Sequence, residues 1–317
     1  MYKNGIMRFR QLGNSGLTVS EVGLGCNNFG GRCDYEISKD VVYAALDSGI
    51  TFLDTADVYG NQGGSETFLG EILKGVREEV IVATKFGMSM GDSERARGSR
   101  RYVYKALDAS LRRLQTDYID LYQFHEPDPW TPIEETLAAL NDLVRAGKVR
   151  YIGSSNFSGW QLASAEFIAQ SKSYERFVSA QNLYSILERE VERELIPAAQ
   201  NFGVGLLPFY PLAAGLLTGK FKRNQPVLSN TRLSTRPQVV EDANFDLLED
   251  LESIALKDGV MLVDLSIGWL LYNPVVSSVI AGATSVTQVR SNALANDYTM
   301  SDATYDKVSK VLAFHGQ

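Results

Sequence analysis

The chain has 317 residues, 44% of them hydrophobic, and a formal net charge of −7 at pH 7, which is enough for a large core in one or two domains. The acidic balance argues against nucleic-acid binding, because the densest basic cluster, Arg95–Arg101, is short and interrupted by Gly and Ser. No apolar run approaches membrane-spanning length, and the polar start lacks the apolar segment of a signal peptide. Two cysteines, Cys26 and Cys33, are too few for a disulfide framework, so we expect their thiols to be reduced. We therefore expect a cytoplasmic protein that does not insert into a membrane.

The N-terminal segment predicts a β-hairpin. Residues 8–20 place Gly13-Asn14-Ser15-Gly16 between apolar residues, which is a turn signal between two short strands. Met7 could be the natural start of the protein. Residues 1–7 could then be a disordered lead to a single domain that covers residues 1–317.

Strand and helix signals alternate through the rest of the chain. Short β-rich runs predict eight strands, at Val22–Leu24, Thr51–Thr55, Val80–Phe86, Tyr118–Phe124, Lys148–Gly153, Phe177–Leu183, Val204–Tyr210 and Ser278–Ala283. Helical periodicity lies between them, at Lys39–Asp47, Thr67–Leu73, Tyr102–Leu114, a helix opened by Thr131-Pro132, Trp160–Gln170, Val191–Phe202, Phe245–Leu256 and Val263–Tyr272. Two further helical stretches, at about 286–295 and 302–313, close the chain.

This alternation predicts one parallel α/β domain, and eight short strands fit a closed barrel better than an open sheet. The competing fold, a dinucleotide-binding sheet, needs a G-x-G-x-x-G turn after an early strand. The first such loop reads GLGCNNFGG and lacks that spacing. The sequence therefore predicts a (β/α)8 TIM barrel with an N-terminal β-hairpin and two extra C-terminal helices.

One segment breaks the alternation. Lys222–Asp242 is long, polar and aperiodic. A loop of this length in a compact domain is usually functional or mobile. A surface insertion without a role explains the pattern equally well.

The stretch TFLDTADVYG carries the first chemical signal. Asp54 directly follows an apolar strand, where a carboxylate needs a partner, and Tyr59 comes five residues later. A phenol holds its proton at neutral pH and releases it if a neighbour helps. Together the two residues indicate a proton donor with an electrostatic modulator.

The other predicted strands also end in polar residues, and in a barrel these ends meet at one mouth. In chain order they are Lys85, His125, Ser154-Ser155-Asn156, Gln181 with Asn182, and Tyr210. Taken singly, a lysine at a strand end is usually solvated, and a lone histidine is more often a satisfied core residue. Because these polar residues all lie at the ends of consecutive strands, together they favour an active site.

The motifs DTADVYG, VATKFG, LYQFHEPD, GSSNFS, PFYPLAAGLLTGK and IAGATSVTQVRSN resemble the aldo-keto reductase superfamily, and more narrowly a bacterial branch similar to potassium-channel β subunits. They run in family order from the hairpin near Leu12 to about Asn292. The resemblance implies a barrel that binds NADP(H) without a Rossmann domain and needs no metal.

The resemblance assigns a catalytic tetrad. Tyr59 would be the general acid that protonates a carbonyl oxygen, and Lys85 would lower its pKa. Asp54 would pair with Lys85, and His125 would orient the carbonyl oxygen.

The resemblance also assigns cofactor contacts in four groups. Ser155, Asn156 and Gln181 would hold the nicotinamide carboxamide, and Tyr210 would stack on the ring. The pyrophosphate would be lined by Pro211, Leu212, Ala214, Gly215, Leu217, Lys220 and, from the long loop, Arg232. The adenosine and its phosphate would be held by Gly282, Thr284, Ser285, Gln288 and Asn292.

Two positions differ from many relatives. Gln288 stands where many carry an arginine for the 2′-phosphate. The channel-β-like branch shares this glutamine, so NADP(H) is expected but NAD(H) is not excluded. Glu126 follows the histidine, and a carboxylate there either favours polar or hydroxylated substrates or simply faces solvent.

The sequence thus predicts an NADP(H)-dependent oxidoreductase that reduces small aldehydes or ketones, or oxidises a sugar or alcohol in reverse. The alternative is a redox-sensing regulatory subunit in which bound cofactor controls a partner and turnover is weak. A barrel enzyme of unrelated chemistry is a remote third. The substrate, the physiological direction and the oligomeric state are not determined by these motifs.

Overall fold

The structure is a computed structural model that describes residues 7–227, 229 and 231–316. Residues 1–6 of the predicted lead lie outside these residues. Met7 is buried in the main hydrophobic core and lies beside Gly49.

The predicted hairpin is present and closes one end of the barrel. Strands β1 (Phe9–Gln11) and β2 (Thr18–Ser20) pair antiparallel, and Asn14 N in the turn between them donates to Gly203 O at 2.7 Å. Leu12 and Val19 pack with residues of the barrel interior, so the hairpin covers the amino-terminal ends of the strands.

Eight parallel strands form the sheet, in the order β10-β3-β4-β5-β6-β7-β8-β9. Phe209 bridges to Ile280, and Leu206 bridges to Val276, so the segment of β9 meets the segment of β10 and the barrel closes. This confirms the predicted (β/α)8 barrel. The strands are β3 (Val22–Gly25), β4 (Phe52–Asp54), β5 (Ile81–Phe86), β6 (Ile119–Phe124), β7 (Val149–Ser155), β8 (Phe177–Gln181), β9 (Gly205–Leu206) and β10 (Val279–Gly282).

Helices follow the strands and surround them. They are α1 (Tyr35–Asp47), α2 (Tyr59–Ile72), α3 (Arg100–Leu114), α4 (Ile133–Arg145), α5 (Gly159–Lys172), α6 (Leu195–Phe202), α7 (Pro237–Glu241), α8 (Phe245–Lys257), α9 (Leu262–Tyr272), α10 (Val286–Leu294) and α11 (Asp302–Phe314). Helices α10 and α11 occupy the two stretches predicted to close the chain, and α11 packs against α8. Within the described part of the chain, no helix has the length and apolar character needed to cross a membrane.

Two elements differ most from their predicted extent. Strand β9 is much shorter than the predicted Val204–Tyr210, because Pro208 has no N–H to donate and Tyr210 adopts a left-handed φ of 52°. Helix α2 starts at Tyr59 instead of Thr67, and its first turn contains four residues with positive φ, Gly60 to Gly63. Glycine tolerates this geometry at two of the four positions, and the sequence pattern there reads as a break.

The described part of the long loop contains more regular structure than its aperiodic sequence predicts. This part contains a 3₁₀ turn (Arg232–Thr235) and helix α7. Leu233 and Val240 are buried against Leu216 and Phe221, so a small apolar cluster holds the loop on the barrel.

Candidate active site

The carboxyl ends of β4 and β5 place a lysine against an aspartate. Lys85 is fully buried, and its Nζ donates to Asp54 Oδ2 at 2.7 Å and to Thr55 O at 2.8 Å. Asp54 is also buried. A buried ion pair persists when each charge keeps its partner and its remaining hydrogen bonds, which is the situation here.

Tyr59 and His125 complete the group at the mouth. The tyrosine stands at the first position of α2, and Lys85 Nζ lies 3.4 Å from its Oη. The ring of His125, just beyond β6, meets the Tyr59 ring edge-on at 5.7 Å between centroids. The structure therefore brings together all four residues that the sequence predicted as a tetrad.

The electrostatics of the pair keep a proton on both groups at neutral pH. Burial alone would lower the pKa of Lys85, but Asp54 and Tyr59 together raise it above its ordinary value. Burial raises the pKa of Tyr59, and Lys85 offsets only part of that rise. Lys85 therefore lowers the pKa of Tyr59 as expected, but burial raises that pKa by more, so the net shift is upward.

His125 is a neutral imidazole in this environment. Burial, and then the charge of Lys85, holds its pKa well below the ordinary value. Its Nδ1 is buried and meets no hydrogen-bond partner in the described residues. A proton on Nδ1 would be unsatisfied, so the favoured tautomer carries its proton on Nε2.

The second oxygen of Asp54 receives two amides. Gln181 Nε2 donates to Oδ1 at 2.8 Å, and Gln123 Nε2 donates to the same atom at 3.3 Å. Gln181 was predicted to hold a nicotinamide carboxamide. In the structure the side-chain nitrogen of Gln181 donates to Asp54, and the side-chain oxygen of Gln181 takes no part in that hydrogen bond.

Asn156 links the ends of three strands. It has a left-handed φ of 58°, and its Nδ2 donates to His125 O at 2.9 Å and to Ser155 Oγ at 3.0 Å. Its backbone N donates to Gln181 O at 3.0 Å. These bonds fix the segment that carries the histidine relative to β7 and β8.

Tyr210 and Arg232 form one side of the mouth. Tyr210 is 41% exposed, and the Arg232 guanidinium carbon lies 4.9 Å from its ring centroid. The same guanidinium donates to Asn28 Oδ1 at 3.1 Å and to Asn27 Oδ1 at 3.3 Å. The long loop therefore reaches across to the segment that follows β3.

The predicted pyrophosphate segment is a run of tight turns. Ala214, Gly215 and Gly219 have positive φ, and a Cβ on Gly215 would lie 3.2 Å from Lys220 Nζ. Burial, followed by repulsion from Arg32, lowers the pKa of Lys220. Of the other predicted members, Leu217 is buried and Pro211 and Leu212 lead into the turns.

The predicted adenosine contacts gather at the start of α10, close after Gly282. Ser285 caps the helix by accepting from Gln288 N at 3.3 Å. Gln288 Oε1 accepts from Thr284 N at 2.8 Å, so its Nε2 is the group left to donate outward. Asn292, one helical turn further on, is buried.

Several polar residues at the mouth were missed by the sequence reasoning. Gln123 lies two residues before His125 on the same face of β6, and this two-residue spacing was the available signal. Asn27 and Asn28 follow the first barrel strand and carry no motif of their own. Asp57 is buried beside the tetrad and was also missed. Glu126, which the sequence did single out, is partly buried.

Together the fold and this grouping define a class, a (β/α)8-barrel protein with a buried Asp–Lys pair, a tyrosine and a histidine gathered at the carboxyl ends of the strands. The model of the Aldo/keto reductase family matches residues 21–313. The chain therefore belongs to the aldo/keto reductase family, which generally uses NAD(P)H, and the match supports a general oxidoreductase.

Curated relatives cover nearly the whole chain. An uncharacterized oxidoreductase of Bacillus subtilis, YrpG, is 38% identical over 90% of this chain and 89% of its own length. A probable voltage-gated potassium channel subunit beta of Oryza sativa is 35% identical over 96% of this chain and 97% of its own. The versiconal hemiacetal acetate reductase of Aspergillus parasiticus is 34% identical over 84% of this chain and 86% of its own length.

Proposed function

We propose that this chain is an NADP(H)-dependent oxidoreductase that reduces small aldehydes or ketones, or oxidises a sugar or alcohol in reverse, with Tyr59 as the general acid. One observation carries the proposal. Lys85 Nζ, fully buried, lies 2.7 Å from Asp54 Oδ2 and 3.4 Å from Tyr59 Oη. A phenol beside a retained cation can give up its proton and be stabilised as the phenolate.

The four residues divide the work on a carbonyl group. Tyr59 Oη donates its proton to the carbonyl oxygen, and Lys85 stabilises the phenolate that remains. Asp54 keeps the ammonium of Lys85 charged and in place. His125, protonated on Nε2, donates a hydrogen bond that orients the same oxygen. In the reverse direction the phenolate accepts the proton from an alcohol.

NADPH would supply the hydride to the carbonyl carbon, and the residues around the mouth fit it. Tyr210 offers an exposed ring beside the tetrad. Lys220 and Arg32 repel each other, an arrangement that a bound pyrophosphate would relieve. Asn182 Oδ1 is buried with no partner among the residues described, and an amide N–H would satisfy it. Ser155, Asn156 and Gln181 would hold the carboxamide.

The adenosine end would be held at the start of α10 by Gly282, Thr284, Ser285, Gln288 and Asn292. Gln288 Nε2 would donate to a 2′-phosphate as a neutral group, which is weaker than a charge-assisted contact from arginine. We therefore propose a preference for NADPH with modest discrimination against NADH.

The test is a screen of NADPH oxidation against aldehydes, ketones and sugars, run beside NADP⁺ with sugar alcohols and aldoses. Saturable turnover of at least one carbonyl substrate is expected. Cofactor binding without turnover across the whole panel would refute the enzymatic proposal.

A second function is favoured by the likeness to a protein named as a channel subunit, at 35% identity over 96% of this chain. In that case bound cofactor would regulate a partner protein, and turnover would be weak. The two functions differ in one measurable quantity, which is whether carbonyl reduction is fast compared with cofactor exchange.

A further inference from the structure

A row of buried polar groups crosses the barrel interior beneath the tyrosine. Lys85 on β5 is the register neighbour of Gln123 on β6, which is opposite Gly153 on β7, which is opposite Ser179 on β8. Lys85, Gln123 and Ser179 are all fully buried. Polar groups in such a place are kept only where they bond to each other.

Hydrogen bonds connect this row to the tetrad. Gln123 Nε2 donates to Asp54 Oδ1 at 3.3 Å, and Ser179 Oγ donates to Gln123 Oε1 at 3.3 Å. The opposite orientation of the Gln123 amide would aim its oxygen at the Asp54 carboxylate, acceptor against acceptor. The carboxylate, which can only accept, therefore fixes which end of the amide faces Asp54, and the Ser179 hydroxyl, which can donate or accept, donates to the other end.

Gly153 makes the row possible. It lies between Gln123 and Ser179, on the strand that separates theirs. A Cβ at Gly153 would lie 2.1 Å from Ser179 Oγ and 3.2 Å from Gln123 Cγ. Only a residue without a side chain lets the glutamine and the serine meet over this strand.

From this geometry we propose that Gln123 is a positioning residue, which holds Asp54 from the side opposite Lys85 and thereby sets how strongly Lys85 supports the ionisation of Tyr59. The proposal rests on the proposed function. Asp54 divides its two oxygens between the ammonium and the amides. When the Gln123 donor is removed, Oδ1 keeps Gln181 alone, and the less stabilised carboxylate draws the ammonium more strongly. Lys85 then stabilises the phenolate of Tyr59 less.

The test substitutes Gln123→Met, which keeps the length of the side chain and removes its hydrogen bonds. We expect the pKa of Tyr59 to rise by about 0.5–1 pH unit, since a lost hydrogen bond to a carboxylate is worth about 1–2 pH units at Asp54 itself and only part of this reaches Tyr59 through Lys85. The ascending limb of the pH profile of alcohol oxidation, which needs the phenolate, should move to higher pH by the same amount. We expect kcat to fall about 3- to 10-fold, and the Kd of NADP⁺ to stay within about twofold of that of the wild type.

The titration is read in two independent ways, from the pH profile and from NMR of ¹³Cζ-labelled tyrosine, with the Tyr59 signal assigned by Tyr59→Phe. The NMR reading needs no turnover, so it tests the inference even if the wild-type protein reduces no carbonyl. Inactive wild-type protein would refute the proposed function alone.

Two comparison variants separate positioning from simple loss of stability. Ser179→Ala removes the hydroxyl that bonds to Gln123 Oε1 and should shift the Tyr59 pKa in the same direction by less. This variant tests the proposal if Gln123→Met fails to fold. Gln181→Met should shift the pKa and also weaken NADP⁺ binding. A Tyr59 titration unchanged in the folded variants, with only a lower Tm, would overturn the proposal.

Discussion

Among the single residues around the tetrad, Asp57 has the most unusual charge state. It is buried, and in the described structure its Oδ1 has no hydrogen-bond partner. Burial raises its pKa to about 8, helped by the nearby charge of Glu66 and opposed by Arg113 and Lys85. Asp57 is therefore mostly protonated at neutral pH.

This raised pKa determines how stability depends on pH. Between the unfolded pKa of about 4 and the folded pKa of about 8, the folded protein binds the Asp57 proton more tightly than the unfolded chain does. Stability contributed by the neutral form is complete below about pH 4 and is lost as the pH rises towards 8. The substitution Asp57→Asn removes that dependence, because an amide stays neutral.

We predict that Asp57→Asn raises Tm by several degrees at pH 8 and leaves it unchanged near pH 4. Thermal unfolding of both proteins across this range measures the difference. The exposed Asp117→Asn serves as a control that should change neither value. A constant difference between Asp57→Asn and wild type at every pH would show that the carboxyl does not titrate as described.

Among the elements, the long loop has the clearest proposed role, which is to close over the cofactor. Its apolar cluster anchors it, and Arg232 spans from Tyr210 to Asn27 and Asn28. A cationic loop that is held by a few hydrogen bonds over a dianionic cofactor should have to open before the cofactor leaves.

We predict that Arg232→Ala speeds NADP⁺ release about 10-fold, measured by stopped-flow fluorescence, since a charge-assisted contact is worth about 1.5–3 kcal/mol. Arg236→Ala, an exposed arginine of the same loop, is the matched control and should leave the rate near that of wild type. NADP⁺ should also protect residues 222–242 from limited proteolysis. Equal cleavage with and without saturating NADP⁺ would leave the loop as an insertion without this role.

The elements also separate what the sequence could predict from what it could not. Strands such as Ile81–Phe86 are apolar runs between turn signals, and their ends, with Lys85 and His125, were predictable from barrel geometry. The start of α2 was not, because its first turn is left-handed. The contacts of Gln123 were also hidden, since they depend on a missing side chain at Gly153, and register across three strands is a tertiary property.

For the whole molecule, the proposed cofactor contacts extend from β7 to α10 and join segments that are distant in the chain. A ligand held by such contacts binds the folded state alone and stabilises all of it. A concentration 100-fold above Kd adds about 2.7 kcal/mol to the free energy of unfolding.

We predict that saturating NADP⁺ raises Tm by about 5 °C, and that NAD⁺ at the same concentration raises it by less. Gln288→Arg should widen the gap, because a guanidinium pairs with a 2′-phosphate and has no partner in NAD⁺. Equal shifts for the two cofactors in the wild type would contradict the proposed preference.

The most direct measurement compares Tyr59→Phe with wild type in carbonyl reduction by NADPH, together with the Kd of NADPH from protein fluorescence. The substitution keeps the ring against His125 and removes the hydroxyl group whose proton Lys85 helps to release. We predict that kcat falls by about 10²–10⁴-fold while Kd changes less than about twofold. A variant that keeps more than about a tenth of wild-type turnover would contradict the assignment of Tyr59 as the acid.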